Sequence, residues 1–158
     1  SFPTRRSSDL YQMLLIFPRL KVMDLSMKIE KLERQGKIDE ARGLRKHWLK
    51  KPKFAQFPEL WSSEGKDLLF TKKDPKRALS AYEMAIQADA YYNPVEVYYG
   101  AACSALLINQ YEKAKKYYNS FNAWWDKFMA NPKLKGYYFT HYLGCKNWID
   151  RKIEKIES

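Results

Sequence analysis

Three stretches decide the fold: KLERQGKIDEARGLRKHW (residues 31–48), LLFTKKDPKRALSAYEMA (68–85) and ALLINQYEKAKKYYNSF (105–121). In each, one helix-forming run ends, a short turn follows, and a second run opens with charged residues ahead of an alanine. The alanines, Ala41, Ala78 and Ala114, are spaced 37 and 36 residues apart. Tyr82 and Tyr118 stand four residues after the last two. A small residue lies upstream, Gly65 thirteen before Ala78 and Ala102 twelve before Ala114. The logic of such a unit is steric. A small residue in the first helix admits the second helix, the alanine sits where the two cross, and the aromatic fills the gap to the next helix.

Outward from these stretches the chain reads as helix after helix. Val22, Leu25, Ile29 and Leu32 have the 3–4 spacing of an amphipathic helix, and Ala41, Leu44 and Trp48 share one side of the next. The pattern predicts helices over 20–35, 38–50, 58–72, 75–90, 94–108, 111–129 and 133–156, with 50–56 (KKPKFAQ) as a basic connector and Pro18 ending a short apolar stretch at Leu14, Ile16 and Phe17. Asp74-Pro75, Asn93-Pro94 and Asn131-Pro132 each place a capping side chain before a proline suited to the first helical position. Phe57-Pro58 opens a helix with Glu59 in its first turn instead. No stretch carries the alternation and turn dipeptides of paired strands.

Composition agrees. The 158 residues include 6 Gly and 2 Cys, too few glycines for a turn-rich β-sandwich and too few cysteines for a disulfide scaffold. No apolar run reaches the roughly 18 residues of a membrane span. The first ten residues, SFPTRRSSDL, resemble the in-frame translation of a sequencing-adapter tail and are set aside from the fold, with 11–158 as the folded domain and the natural N-terminus expected upstream. The net charge of +11 then falls by one, to +10.

The tandem spacing resembles the tetratricopeptide repeat family, whose unit is a helix–turn–helix of about 34 residues. The two best units are 58–90 and 94–124; 20–49 is a weaker one, with Ile29 in the small position and Arg45 where the aromatic is expected. A partial unit over 133–156 has Gly144 in the small position. Between Gly65 and Ala78 lies one surplus residue, and Phe121 stands where the family keeps a later alanine. The resemblance implies an all-α, right-handed solenoid of about three helical hairpins plus a C-terminal end helix. It also implies a non-enzymatic scaffold or adaptor that binds a peptide or helix of a partner protein in a concave groove. The family's groove positions fall on Lys66, Leu69, Phe70, Tyr99, Cys103, Leu106, His141 and Cys145. The places that hold a carboxylate clamp in some members carry Tyr99, Gly100 and Cys103, which does not support such a clamp.

Motifs for chemistry are sparse. The histidines are His47 and His141, and the cysteines Cys103 and Cys145. His141 and Cys145 share a helix face, and both cysteines follow the small residue of their unit, but two such ligands fall short of a metal site. No phosphate loop or nucleophilic triad appears, so no cofactor, no metal and no enzyme activity is expected. The aromatic pairs Tyr91-Tyr92, Tyr98-Tyr99, Tyr117-Tyr118, Trp124-Trp125 and Tyr137-Tyr138 place neighbours about 100° apart on a helix, so that one packs while the other is partly covered. Arg42, Arg45, Lys46, Lys50, Lys51 and Lys53 form a basic cluster, read first as a solvated face. An acidic protein partner is expected to be steered by the basic surface. The main alternative is RNA or single-stranded DNA on the basic cluster, and a second is the repeat part of a larger enzyme or regulator. A cytoplasmic location is expected.

Overall fold

A computed structural model describes residues 3–131 and 139–158, with side chains over 16–131 and 141–158. Eight α-helices and no strand occur among the described residues: α1 Pro3–Arg34, α2 Ile38–Leu49, α3 Pro52–Ala55, α4 Pro58–Lys66, α5 Pro75–Ala88, α6 Pro94–Leu107, α7 Tyr111–Ala130 and α8 Phe139–Glu157. The helix α1 packs on α2, α4 on α5, and α6 on α7, while α5 also packs on α6 and α8 on α6 and α7. No described helix is long and apolar enough to cross a membrane.

The repeat seen in the sequence recurs in the backbone. Gly36, Lys73 and Asn109 all lie in the left-handed region, with φ of +76°, +56° and +60°. Each stands five residues before its alanine, Ala41, Ala78 or Ala114, and all three alanines are buried. The residue after each turn closes the preceding helix by donating its N–H back along the chain: Lys37 to Leu32 O, Asp74 to Leu68 O and Gln110 to Ala105 O.

The surplus residue of the second unit has a visible cause. Residues Asp67–Thr71 form a π-helical turn directly after α4, with Lys72 N–H donating to Asp67 O at 2.9 Å. Such a turn absorbs a one-residue insertion without breaking the helix. It also explains why Asp74 reaches back six residues where its counterparts reach five.

Tyr82 joins neighbouring units. It is 1% exposed and lies between two glycines. A Cβ on Gly65 would meet its ring at 3.0 Å, and one on Gly100 at 2.2 Å. The first contact is the close approach expected at the small position; the second comes from the first helix of the next unit. Two apolar cores result. One gathers α5, α6, α7 and α8 around Tyr82, Phe121 and Ile149; the other joins α1, α2 and α4 through Val22, Leu25, Ile29, Ala41 and Leu60.

Several expectations are corrected. Pro18 does not end a helix: α1 continues through it, and Pro18 is buried there, so tertiary burial overrides its local cost. The segment set aside at 1–10 falls partly within α1. The connector 50–56 contains the short helix α3. Asp74 caps α5 by accepting from Arg77 N–H, but Asn93 does not cap α6; its side-chain amide donates to Glu96 at 2.8 Å instead. Gly144 is no point of close approach, since a Cβ there meets nothing within 4 Å. Pro132, Lys133 and Tyr137-Tyr138 lie outside the described residues.

Candidate functional site

The first helices of successive units face one another across a cavity of about 590 Å³. Glu30 and Glu33 come from α1; Glu59 and Lys66 from α4; Tyr92, Glu96 and Tyr99 from the start of α6 and the turn before it; and His141, Tyr142 and Cys145 from α8. Phe70, in the π turn, adds a ring that is half exposed.

Of the groove residues that the family resemblance picks out, Lys66, Phe70, Tyr99, His141 and Cys145 line this cavity. Leu69 and Cys103 do not; both are buried in the larger core, and Leu106 packs half-buried against it. Sequence reading missed the carboxylates. Helical spacing was the available signal: Glu96 and Tyr92 lie three and seven before Tyr99, and Glu59 lies seven before Lys66.

The acids differ in how they are answered. Glu30 pairs with Arg34 one turn away. Glu33 pairs with Arg45 at 3.3 Å and Lys66 at 3.7 Å. Glu59, 4% exposed, gives Oε1 to Arg19, while its buried Oε2 has no hydrogen-bond partner among the described residues. Glu96 accepts from the Asn93 amide. Burial first, and then the charges of Glu59 and Glu96, push the Tyr92 hydroxyl up to about 12.

On the α8 side, the Tyr99 hydroxyl is close enough to the Cys103 and Cys145 thiols for each to influence its ionisation, and Cys145 Sγ lies 3.8 Å from His141 Nε2. The two cysteines are thus within reach of one group, a tyrosine. Among the described residues no set of three His, Cys, Asp or Glu is arranged to hold a metal ion. Burial pushes the Cys103 thiol up to about 12, against the Tyr99 hydroxyl, which lowers it, and burial also raises Cys145. Both cysteines are therefore poor nucleophiles at neutral pH. Iodoacetamide at about pH 8 should label Cys103 on the order of a thousandfold more slowly in the native chain than in urea, because its thiolate fraction is that much smaller. Mass spectrometry of timed aliquots reads this, and equal rates would contradict it.

The basic cluster divides. Arg45 is 1% exposed and belongs to no solvated face. It donates to Glu64 Oε2 at 2.6 Å, Asp67 Oδ2 at 2.8 Å, Ser63 Oγ at 3.1 Å and Glu33 Oε1 at 3.3 Å. Arg42 grips Asp67 with two further bonds, at 2.8 and 3.0 Å. Burial opposes ionisation of Asp67, but the Arg42 hydrogen bond and the charges of both arginines outweigh it and hold its carboxyl below the ordinary value of 3.8. Lys46, Lys50, Lys51 and Lys53 are exposed. Lys51 sits over the Trp48 ring at 4.3 Å. Lys46 and Lys50 rim a smaller hollow of about 240 Å³ with Lys72 and Arg77, over the Arg45 network.

The helical aromatic pairs split as helical geometry requires, and the pair in the turn before α6 also splits. Tyr98, Tyr117 and Trp125 are buried, while Tyr99, Tyr118 and Trp124 are partly covered, and Tyr91 is exposed beside the half-buried Tyr92. No family model matches the chain, and neither does any curated protein or solved structure.

Proposed function

We propose that the chain is a non-enzymatic docking module, a tetratricopeptide-type solenoid that holds a peptide or helix of a partner protein in the cavity between its first helices. One observation carries the reading: the large cavity is lined from α1, α4, α6 and α8, one helix of each successive unit. A concave surface built from alternate helices is how stacked hairpins recognise extended ligands. Phe70, Tyr99 and Tyr142 supply aromatic anchors of the kind that dominate interface energetics. The nucleic-acid alternative loses ground because Arg42 and Arg45, two of the six cluster residues, are engaged by the protein's own carboxylates.

The test is selection of dodecapeptides from a phage-displayed random library on the immobilised chain, followed by titration of the synthetic winners. Phe70→Ala should weaken their binding by about tenfold, the loss of one anchor, without shifting the melting temperature of this half-exposed position. Winners whose affinity ignores Phe70→Ala and Tyr142→Ala would sink the reading.

A further inference from the structure

We propose that the cavity selects a basic peptide, seating a lysine or arginine side chain of the partner between Glu59 and Glu96 and against the rings of Tyr92 and Tyr99. This rests on the docking reading above and reverses the acidic partner suggested by net charge.

The carboxylates carry the argument. Glu30 and Glu33 already have cations of their own. Glu59 has one oxygen on Arg19, and the other, buried, has no hydrogen-bond partner among the described residues. A buried acceptor left unpaired is costly, and more so when charged. Glu96 is half-buried with a neutral amide as its hydrogen-bond donor, and no lysine or arginine among the described residues forms an ion pair with it. The two acids belong to one locus: α4 packs on α6, and Glu59 and Glu96 line the same cavity together with Tyr92 and Tyr99. A ligand ammonium or guanidinium brings the donors this locus lacks. The tyrosine faces favour a cation and its alkyl stem.

The net charge of +11 opposes this reading only through the cations that reach the cavity, and those are already answered: Arg45 and Lys66 by Glu33, and Arg19 by one oxygen of Glu59. More distant exposed charges are largely screened at physiological salt. An acidic ligand, conversely, would bring like charge against Glu59 and Glu96, which disfavours it.

The probe is the selected dodecapeptide and a copy with each lysine replaced by norleucine, which keeps the stem and removes the charge. The winners should be enriched in Lys and Arg over Asp and Glu, and the norleucine copy should bind at least about tenfold more weakly, the scale of one charge-assisted contact. In Glu59→Gln, and separately in Glu96→Gln, that preference should fall below about threefold. Should Glu59→Gln fail to fold, the norleucine copy and Glu96→Gln still decide the matter. Winners that are neutral or acidic, yet lose affinity in Phe70→Ala, overturn the basic-ligand inference and leave docking standing. Winners indifferent to both Phe70→Ala and Tyr142→Ala overturn both.

Discussion

Arg45→Met should destabilise the chain by about 3–5 kcal/mol, read as a lower urea midpoint at unchanged slope. The substitution keeps much of the side-chain bulk, so the loss is electrostatic. The guanidinium is 1% exposed and is the shared partner of Glu33, Glu64 and Asp67. Without it Glu33 keeps Lys66 and Asp67 keeps Arg42, but Glu64 loses the 2.6 Å bond that Arg45 supplies, and the partly buried cluster is left with excess negative charge. A buried pair broken on one side costs far more than the net worth of the intact pair. Adding Glu64→Gln to Arg45→Met should therefore recover part of the loss. A change below about 1 kcal/mol, the range of exposed ion pairs, would show that Arg45 is solvated after all.

Gly100→Ala is the second large effect, and its sign runs against helix propensity. Alanine in a helix interior is normally favoured over glycine by about 1 kcal/mol. At Gly100 the added Cβ would stand 2.2 Å from Tyr82 Cζ, 2.5 Å from Cε2 and 2.6 Å from the hydroxyl oxygen. On its other face the ring already lies against the Gly65 backbone, so close that a Cβ there would stand 3.0 Å from it, which limits how far it can retreat. Overpacking of this kind costs about 1–3 kcal/mol, and the double confinement puts Gly100→Ala at the top of that range. Gly43→Ala is the matched control: a Cβ there meets nothing within 4 Å, so that variant should gain up to about 1 kcal/mol. Tyr82→Leu in the Gly100→Ala background should give back part of the loss. If Gly100→Ala and Gly43→Ala moved the melting temperature alike, the packing of Tyr82 between units would be wrong.

Most of the helical framework was legible because it is encoded by short-range signals. The 37- and 36-residue alanine spacing reappears as three left-handed turns, although only Gly36 announced its turn. Lys73 and Asn109 adopt the same conformation without a glycine; asparagine tolerates it, and at Lys73 the closing hydrogen bond from Asp74 to Leu68 accompanies it. The surplus residue before Ala78 was countable, but only the backbone shows it as a π turn. Arg45 stands where the other hairpins carry Tyr82 and Tyr118, and the sequence marked the mismatch. That the place is filled by an ionic cluster depends on Glu33, Glu64 and Asp67, which lie 12 to 22 residues away and meet it only in three dimensions.

The site was legible in outline, but its carboxylates were not. Five of the eight groove residues line the cavity. Leu69 and Cys103 lie in the core instead, where apolar burial claims them. A chain of +11 suggested acidic ligands, because net charge sums cations wherever they are. Here Arg42 and Arg45 are spent on internal carboxylates, Lys51 on Trp48, and Lys46 and Lys50 on a separate hollow, while glutamates line the cavity.

The most direct measurement is a nitrogen-15 NMR titration of the chain with the selected lysine-containing dodecapeptide. The docking account predicts that the amide shifts concentrate at Ser62, Lys66, Tyr92, Glu96, Tyr99 and Cys145, which come from three different helices and one turn around the cavity. Shifts concentrated instead at Lys46, Lys50, Lys72 and Arg77, around the second hollow, would contradict it.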